Sequence, residues 1–127
     1  MNIDLLIVED QDDERITIER VAKRYSLTTI SFSSGLVALR YLKQQDKKAL
    51  PRAYLVDMRT GISEEELKSP LEIFKFLESH DHIKSFRFHT GHFSEHDRLV
   101  QGLTKAKVIL KAIADFHMFL EQLKSSR

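Results

Sequence analysis

The stretch LLIVED at residues 5–10 places four consecutive apolar residues directly before two carboxylates. A second stretch, YLVD at residues 54–57, has the same design, a short apolar run that ends in an aspartate. Runs this short and this apolar are typical of strands that are buried on both faces of a parallel sheet. In open α/β folds, ligands bind beyond the carboxyl ends of such strands. These two stretches therefore predict both a fold class and the place of its reactive groups.

Short apolar runs alternate with segments of helical period along the whole chain. The alternation predicts an α/β fold, a doubly wound five-stranded parallel sheet with helices on both faces. Among the common strand orders of such sheets we expect 2-1-3-4-5, the flavodoxin-like order. We expect the third helix to begin at Ser69, because SPLE at residues 69–72 combines a capping serine, a proline at the first helical position and a glutamate three residues after the cap. The predicted strands lie at 3–8, 27–32, 53–56, 85–89 and 107–110, and the predicted helices at about 12–25, 35–44, 69–77, 94–103 and 113–123.

Composition narrows the classes of function. The 127 residues are enough for one domain, and we expect a single domain over 1–127 without an output domain. Twenty Lys and Arg against 19 Asp and Glu give a net charge of +1, which argues for neither a nucleic-acid nor a membrane partner. Cysteine is absent, which excludes disulfides and a thiol nucleophile and fits a cytoplasmic location. The N-terminus has no signal-peptide pattern.

One predicted connection is unusually long. Residues 58–68 are polar and acidic, and they include Glu64-Glu65-Glu66 before the expected helix cap. A strand-to-helix loop of this length is more often functional than structural. The segment Met58–Lys68 is therefore expected either to cover the site or to form a partner surface.

Reactive side chains follow four of the five predicted strands. Glu9 and Asp10 follow the first strand, Asp57 ends the third, Thr90 ends the fourth and Lys111 follows the fifth. Because the carboxyl ends of parallel strands meet at one edge of a sheet, we expect these side chains to form one contiguous site. The second strand ends in Ser33-Ser34-Gly35 and lies at the outer edge, away from that site.

The carboxylates of this expected site need a cation. Two unit charges at ~4 Å cost about 4 kcal/mol at an effective dielectric near 20. An all-oxygen donor set suits Mg²⁺, or Mn²⁺, which shares its coordination shell with substrate phosphate. With charge neutralised by the metal and Lys111, Asp57 can act as a nucleophile that forms an acyl phosphate. Thr90 can offer a hydroxyl to a phosphoryl oxygen, and Gly91 leaves room for that oxygen.

Four stretches of the chain together resemble the signature stretches of CheY-like receivers, the receiver domains of response regulators. The resemblance covers essentially the whole chain, and the ordered set is specific although no single piece is. The stretches are LLIVED at 5–10, YLVD at 54–57, FHTG at 88–91 and ILK at 109–111.

The resemblance implies a stand-alone response-regulator receiver that takes a phosphoryl group from a sensor histidine kinase or a phosphotransfer protein and signals through protein–protein contacts with a downstream target. It implies that the chain catalyses its own aspartyl phosphorylation and dephosphorylation. A homodimer through the fourth helix, fifth strand and fifth helix is one possible assembly. The implied roles are acceptor for Asp57, metal ligand for Asp10, water-mediated metal ligand for Glu9, switch hydroxyl for Thr90 and phosphate-pairing cation for Lys111.

Residues near the acceptor also have implied roles. The backbone carbonyl of Arg59 completes the protein's share of the metal shell. Arg59 and His92 occupy the variable positions that tune the lifetime of the phosphoryl group in the family.

The chain departs from the family pattern at its switch positions. Val108 stands where receivers usually carry an aromatic switch residue, and Ala112 replaces the proline after the lysine. A cis peptide is therefore not expected there, since a non-proline cis bond costs roughly 3 kcal/mol. These departures support an alternative function, a phosphorylation-independent pseudo-receiver adaptor that binds its partner constitutively.

Other classes of site fit the sequence less well. His89, His92 and His96 do not supply a closed set of zinc ligands. A phosphatase of the haloacid dehalogenase type needs an acid two residues after the nucleophile, where this chain has Arg59. Flavin binding lacks a phosphate loop after the first strand.

Aromatic residues of the fourth strand and the last helix are most simply core residues. We expect Phe86, Phe88, Phe116 and Phe119 to pack between the sheet and its covering helix. The alternative is that part of this region forms a partner surface, since Met118 and Phe119 lie off the inner stripe of the last helix.

Overall fold

Five parallel strands form the centre of the structure, a computed structural model that describes residues 2–81, 85–90, 107–110 and 113–126, without the side chains of 90, 107–110 and 113–115. Their order is β2-β1-β3-β4-β5, which confirms the predicted fold class and strand order. Every neighbouring pair is parallel. The strands are β1 (Leu5–Val8), β2 (Thr29–Phe32), β3 (Ala53–Asp57), β4 (Phe86–Thr90) and β5 (Lys107–Leu110).

Helices connect the strands, and four of them lie in the described residues. Three acidic residues, 12–14, stand in the first turn of α1, as expected from the helix dipole. Helix α2 begins directly after its N-cap residue Ser34, whose side chain accepts a hydrogen bond from the amide of Val37. The helix predicted at 94–103 lies outside the described residues. The helices are α1 (Asp12–Arg24), α2 (Gly35–Lys43), α3 (Glu64–Ser79) and α4 (Ile113–Ser125), with a 3₁₀ turn at Lys47–Ala49.

Two hydrophobic layers cover the two faces of the sheet. Alternate residues of a strand point to opposite faces, so Leu6 and Val8 of β1 join one layer whereas Leu5 and Ile7 join the other. Helices α2 and α3 contribute side chains to the first layer, and helices α1 and α4 contribute side chains to the second. Helices on both faces are therefore confirmed.

The start of α3 corrects the expectation from sequence. The helix begins at Glu64, and its cap is Ser63, which accepts a hydrogen bond from the amide of Glu66 at 3.2 Å. Pro70 lies inside the helix, where it has no N–H to donate to the carbonyl of Glu66. The hydroxyl of Ser69 donates to that carbonyl instead, at 2.7 Å. The expected long loop therefore shrinks to residues 58–63, and the rest of the segment is helix.

The position of Phe119 decides between the two interpretations that the sequence allowed. Phe119 is only 5% exposed and belongs to the core layer beneath α4, whereas Met118 is 61% exposed. The guanidinium of Arg87 lies 5.3 Å from the centroid of the Phe119 ring, so the ring also carries a cation–π contact. Burial lowers the pKa of this Arg87. Phe119 is thus a core residue and not part of a partner surface. The core assignment of Phe86, Phe88, Phe116 and Phe119 is confirmed.

Within the described ranges, no helix has both the length and the apolar character needed to cross a lipid bilayer.

Helices α2 and α3 meet at a point where only glycine fits. A Cβ on Gly35 would stand 2.8 Å from Cβ of Ser69, and it would also overlap the Ser69 hydroxyl. Gly35→Ala should therefore push α3 away from α2 and lower the free energy of unfolding by about 1–3 kcal/mol, the usual cost of overpacking. Urea titration measures this change. Val37→Ala, at an exposed position of the same helix, is the control and should shift the free energy of unfolding by less than about 0.5 kcal/mol. Equal stability of the two variants would show that a Cβ at position 35 does not collide with Ser69.

Candidate functional site

Three carboxylates meet at the carboxyl edge of the sheet. Strands β1 and β3 are neighbours, and Val8 lies opposite Val56. The next residues on each strand are therefore level with each other, which brings Glu9 and Asp10 beside Asp57. One oxygen from each of these three side chains lies within 4.8 Å of the others.

Local hydrogen bonds hold two of these carboxylates. Oδ1 of Asp57 accepts a hydrogen bond from the amide of Arg59 at 2.9 Å, which ties the start of the β3–α3 loop to this carboxylate. Oε2 of Glu9 accepts the amide of Gln11 at 3.2 Å, and the backbone carbonyl of Glu9 accepts Nη1 of Arg15 at 2.9 Å. The same Arg15 reaches Asp12 at 2.5 Å. These hydrogen bonds hold the first turn of α1 against Glu9.

Burial strengthens the repulsion among the three carboxylates, because it reduces screening by solvent. Glu9 is fully buried and Asp57 is 6% exposed, whereas Asp10 is exposed to solvent. Like charges at such distances repel by several kcal/mol when solvent screening is reduced. Oxygen ligands from carboxylates are the donor set that Mg²⁺ prefers, and a site with one solvent-facing carboxylate leaves room for the waters that the ion retains. The residues present therefore fit a divalent cation of this class.

The structure brings three of the predicted site residues together and leaves others undetermined. Glu9, Asp10 and Asp57 form the cluster, and the Arg59 backbone lies in the adjoining loop. Thr90 ends β4, directly after His89, which lies opposite Asp57. The side chain of Thr90 and the residues Gly91, His92, His96, Lys111 and Ala112 lie outside the described part of the chain, as does the side chain of Val108 in β5. The roles of all these residues remain predictions.

A second polar cluster at the same edge was not expected from sequence. The carboxylate of Glu66 accepts hydrogen bonds from the hydroxyl of Ser34, from the hydroxyl of Thr60 at 2.7 Å and from the amide of Gly35 at 3.1 Å. Burial raises the pKa of Glu66, but the hydrogen bonds, which include one from the amide of Leu36, outweigh it and hold the pKa below its usual value. The available signal was the Ser63-x-x-Glu66 spacing of a helix start.

Comparison with solved structures shows which fold this is. The receiver domain of the sensor histidine kinase PA1611 from Pseudomonas aeruginosa is 17% identical, with a TM-score of 0.74 over 98% of this chain and 99% of that one. A two-component response regulator from Legionella pneumophila is 18% identical, with a TM-score of 0.70 over 98% of this chain and 99% of that one. The chain has the receiver fold.

Other receivers agree with this assignment of fold. The chemotaxis response regulator CheY4 of Vibrio cholerae is 12% identical, with a TM-score of 0.72 over 97% of this chain and 99% of that one. In the PA1611 receiver, a magnesium ion is coordinated in the active-site cleft. No protein-family model matches the sequence, and no curated protein is significantly similar to it. At these identities the comparisons establish the receiver fold, while the chemistry depends on the residues of this chain.

The carboxylate cluster predicts opposite effects of one substitution with and without metal. In EDTA, Asp10→Asn should raise the melting temperature, because it removes one of three mutually repelling charges. In the wild type, Mg²⁺ at a hundred times its dissociation constant should stabilise the fold by about 2.7 kcal/mol, and Asp10→Asn should lose most of that gain. Calorimetric melting at several Mg²⁺ concentrations measures both effects.

The matched control is Asp46→Asn, which removes an exposed carboxylate that makes no side-chain cap at the 3₁₀ turn. It should respond to Mg²⁺ as the wild type does. If Asp10→Asn keeps the full Mg²⁺ stabilisation, the assignment of the cluster as a metal site is wrong.

Proposed function

We propose that this chain is a response-regulator receiver that accepts a phosphoryl group on Asp57 in a Mg²⁺-dependent phosphorelay. The observation that carries the proposal is the cluster of Glu9, Asp10 and Asp57 at the carboxyl edge of the sheet. The receiver fold supports it, because a parallel sheet of this kind binds its ligands at that edge.

The proposed reaction is a nucleophilic displacement at phosphorus. A carboxylate oxygen of Asp57 attacks the phosphorus atom of a phosphohistidine, the O–P bond forms, and the P–N bond breaks to release the imidazole. In the second half of the cycle, water attacks the same phosphorus atom, the bond between phosphorus and the Asp57 oxygen breaks, and the free carboxylate and inorganic phosphate are released. The hydrogen bond from the Arg59 amide to Oδ1 orients the Asp57 carboxylate before the attack.

The metal is proposed to be held by the carboxylates of Asp10 and Asp57 and the backbone carbonyl of Arg59, with Glu9 acting through a bound water. A Mg²⁺ ion bound there supplies positive charge that offsets the charge of the transferring phosphoryl group. Because Glu9 is fully buried beside the other carboxylates, it adds negative charge that favours a divalent over a monovalent cation.

Further roles complete the proposal. Lys111 pairs with the phosphoryl oxygens, and the hydroxyl of Thr90 donates to one of them. Gly91 leaves space beside Thr90, and Arg59 and His92 modulate the lifetime of the acyl phosphate. The signal passes by protein–protein contact from a histidine kinase or phosphotransfer protein to a downstream protein, in the cytoplasm, from a domain that spans residues 1–127.

A second candidate function is a pseudo-receiver adaptor that binds its partner without phosphorylation. The observation that favours it is Val108 at the usual aromatic switch position, followed by Ala112 after the lysine. A valine side chain lacks the large ring whose movement would report a phosphoryl group at the site. The adaptor would retain the fold and the acidic cluster without the covalent step.

Phosphorylation by a small donor separates the two candidates. The chain is incubated with acetyl phosphate and Mg²⁺, and its intact mass is measured. We expect the mass of one added phosphoryl group in the wild type and none in Asp57→Asn, because the amide is not a nucleophile for phosphorus. Addition of EDTA should prevent the modification, since the carboxylates then lack their cation.

Asp46→Asn serves as the control and should be modified like the wild type. Equal modification of wild type and Asp57→Asn would place the acceptor elsewhere. No modification with acetyl phosphate or with a phosphohistidine donor would favour the adaptor.

A further inference from the structure

Helix α3 uses only half of its own N-terminal capping motif. The hydroxyl of Ser63 accepts a hydrogen bond from the amide of Glu66, as in a capping box. In a complete capping box, the glutamate side chain also accepts a hydrogen bond from the amide of the cap residue. Here the carboxylate of Glu66 points to the start of α2 and accepts the hydroxyl of Ser34 and the amide of Gly35. Helix α2 has no acidic residue in its own first turn, so Glu66 supplies the negative charge that its N-terminus favours.

Thr60 joins this contact between the two helices. Its hydroxyl donates to Oε2 of Glu66 at 2.7 Å and accepts the amide of Gly35 at 3.2 Å. Thr60 is only 7% exposed, and both hydrogen-bonding capacities of its hydroxyl are used inside the protein. The junction of Ser34, Gly35, Thr60 and Glu66 therefore fixes a loop residue against two helix starts.

The Arg59 carbonyl lies between two fixed points. On one side, the amide of Arg59 donates to Oδ1 of Asp57 at 2.9 Å. On the other side, the carbonyl carbon of Arg59 is bonded to the amide nitrogen of Thr60, whose side chain is held by Glu66. Since a peptide group is planar, fixing both neighbours limits the directions in which its oxygen can point.

We propose that Thr60 and Glu66 form a positioning pair that aims the backbone carbonyl of Arg59 at the metal. The inference rests on the proposed function, because it takes that carbonyl as a metal ligand. The inference gives a role to the first turn of α3, which places the Glu66 side chain against the start of α2. Groups that orient a metal ligand commonly change metal affinity by 10-fold or more when they are removed.

Variants of Thr60 separate positioning from simple packing. Thr60→Val keeps the shape of the side chain but removes the hydroxyl, whereas Thr60→Ser keeps the hydroxyl. Titration calorimetry with MgCl₂ should show roughly 10-fold weaker binding for Thr60→Val and nearly wild-type binding for Thr60→Ser. Rescue by serine would show that the hydrogen bond matters and not the volume.

Variants of Glu66 test the other half of the pair. Glu66→Gln removes the charge and should also weaken Mg²⁺ binding, while Glu65→Gln, the same change at an exposed neighbouring position, should not. The double variant Thr60→Val with Glu66→Gln should bind Mg²⁺ little worse than either single variant, because both act on one contact.

A metal-free measurement tests the same pair independently. In EDTA, amide hydrogen exchange over residues 58–61 should be faster in Thr60→Val and Glu66→Gln than in the wild type, Thr60→Ser and Glu65→Gln, since the loop has lost its anchor. Far-UV circular dichroism confirms that each variant is folded.

Two results would overturn the inference while leaving the proposed function intact. The first is unchanged Mg²⁺ affinity in folded Thr60→Val and Glu66→Gln, even if their melting temperatures fall, because the pair would then be structural only. The second is unchanged amide exchange in the same variants. A wild-type chain that does not bind Mg²⁺ at all would contradict the proposed function, and with it the role of the pair.

Discussion

Mutual repulsion among three carboxylates is the constraint on which this account depends. Parallel pairing of β1 with β3 puts Val8 opposite Val56, and the acidic residues that follow on both strands have to share one place. Burial of Glu9 prevents water from relieving the repulsion. The surrounding structure holds the cluster together, since the two core layers fix the register of the strands and Arg15 ties the first turn of α1 to the backbone of Glu9. A fold that maintains this arrangement is suited to bind a divalent cation.

Much of the fold and the centre of the site follow from short-range patterns. A run of four apolar residues is short for a helix and favours an interior strand, and an acid placed directly after such a strand lies at the carboxyl edge of the sheet. This reasoning is sufficient for Leu5–Val8 with Glu9 and Asp10, and for β3 with Asp57. The right-handed crossover rule leaves few strand orders for such an alternation of strands and helices, and the resemblance to known flavodoxin-like folds selects 2-1-3-4-5 among them.

The start of α3 could not be predicted from local patterns, because two serine–glutamate spacings compete six residues apart. Pro70 favours a helix that begins at Ser69, with Glu72 three residues later, yet the helix begins after Ser63, with Glu66 three residues later. The choice depends on tertiary contacts, since Glu66 reaches α2 and Ser69 packs against Gly35. The helical stripe alone left two interpretations of Phe119 open, and the structure selects the core because the sheet face beneath α4 is wide enough to receive this side chain beside Arg87. A helical stripe read from sequence does not show the width of the surface that will cover it.

Anomalous diffraction from crystals grown with Mn²⁺, which replaces Mg²⁺ at oxygen sites, tests the central claim most directly. The account predicts one strong anomalous peak at the carboxyl edge of the sheet, within coordination distance of the Asp10 and Asp57 carboxylates and the Arg59 carbonyl, and no such peak in crystals of Asp10→Asn. A peak elsewhere on the molecule, or an empty carboxylate cluster at saturating Mn²⁺, would contradict it.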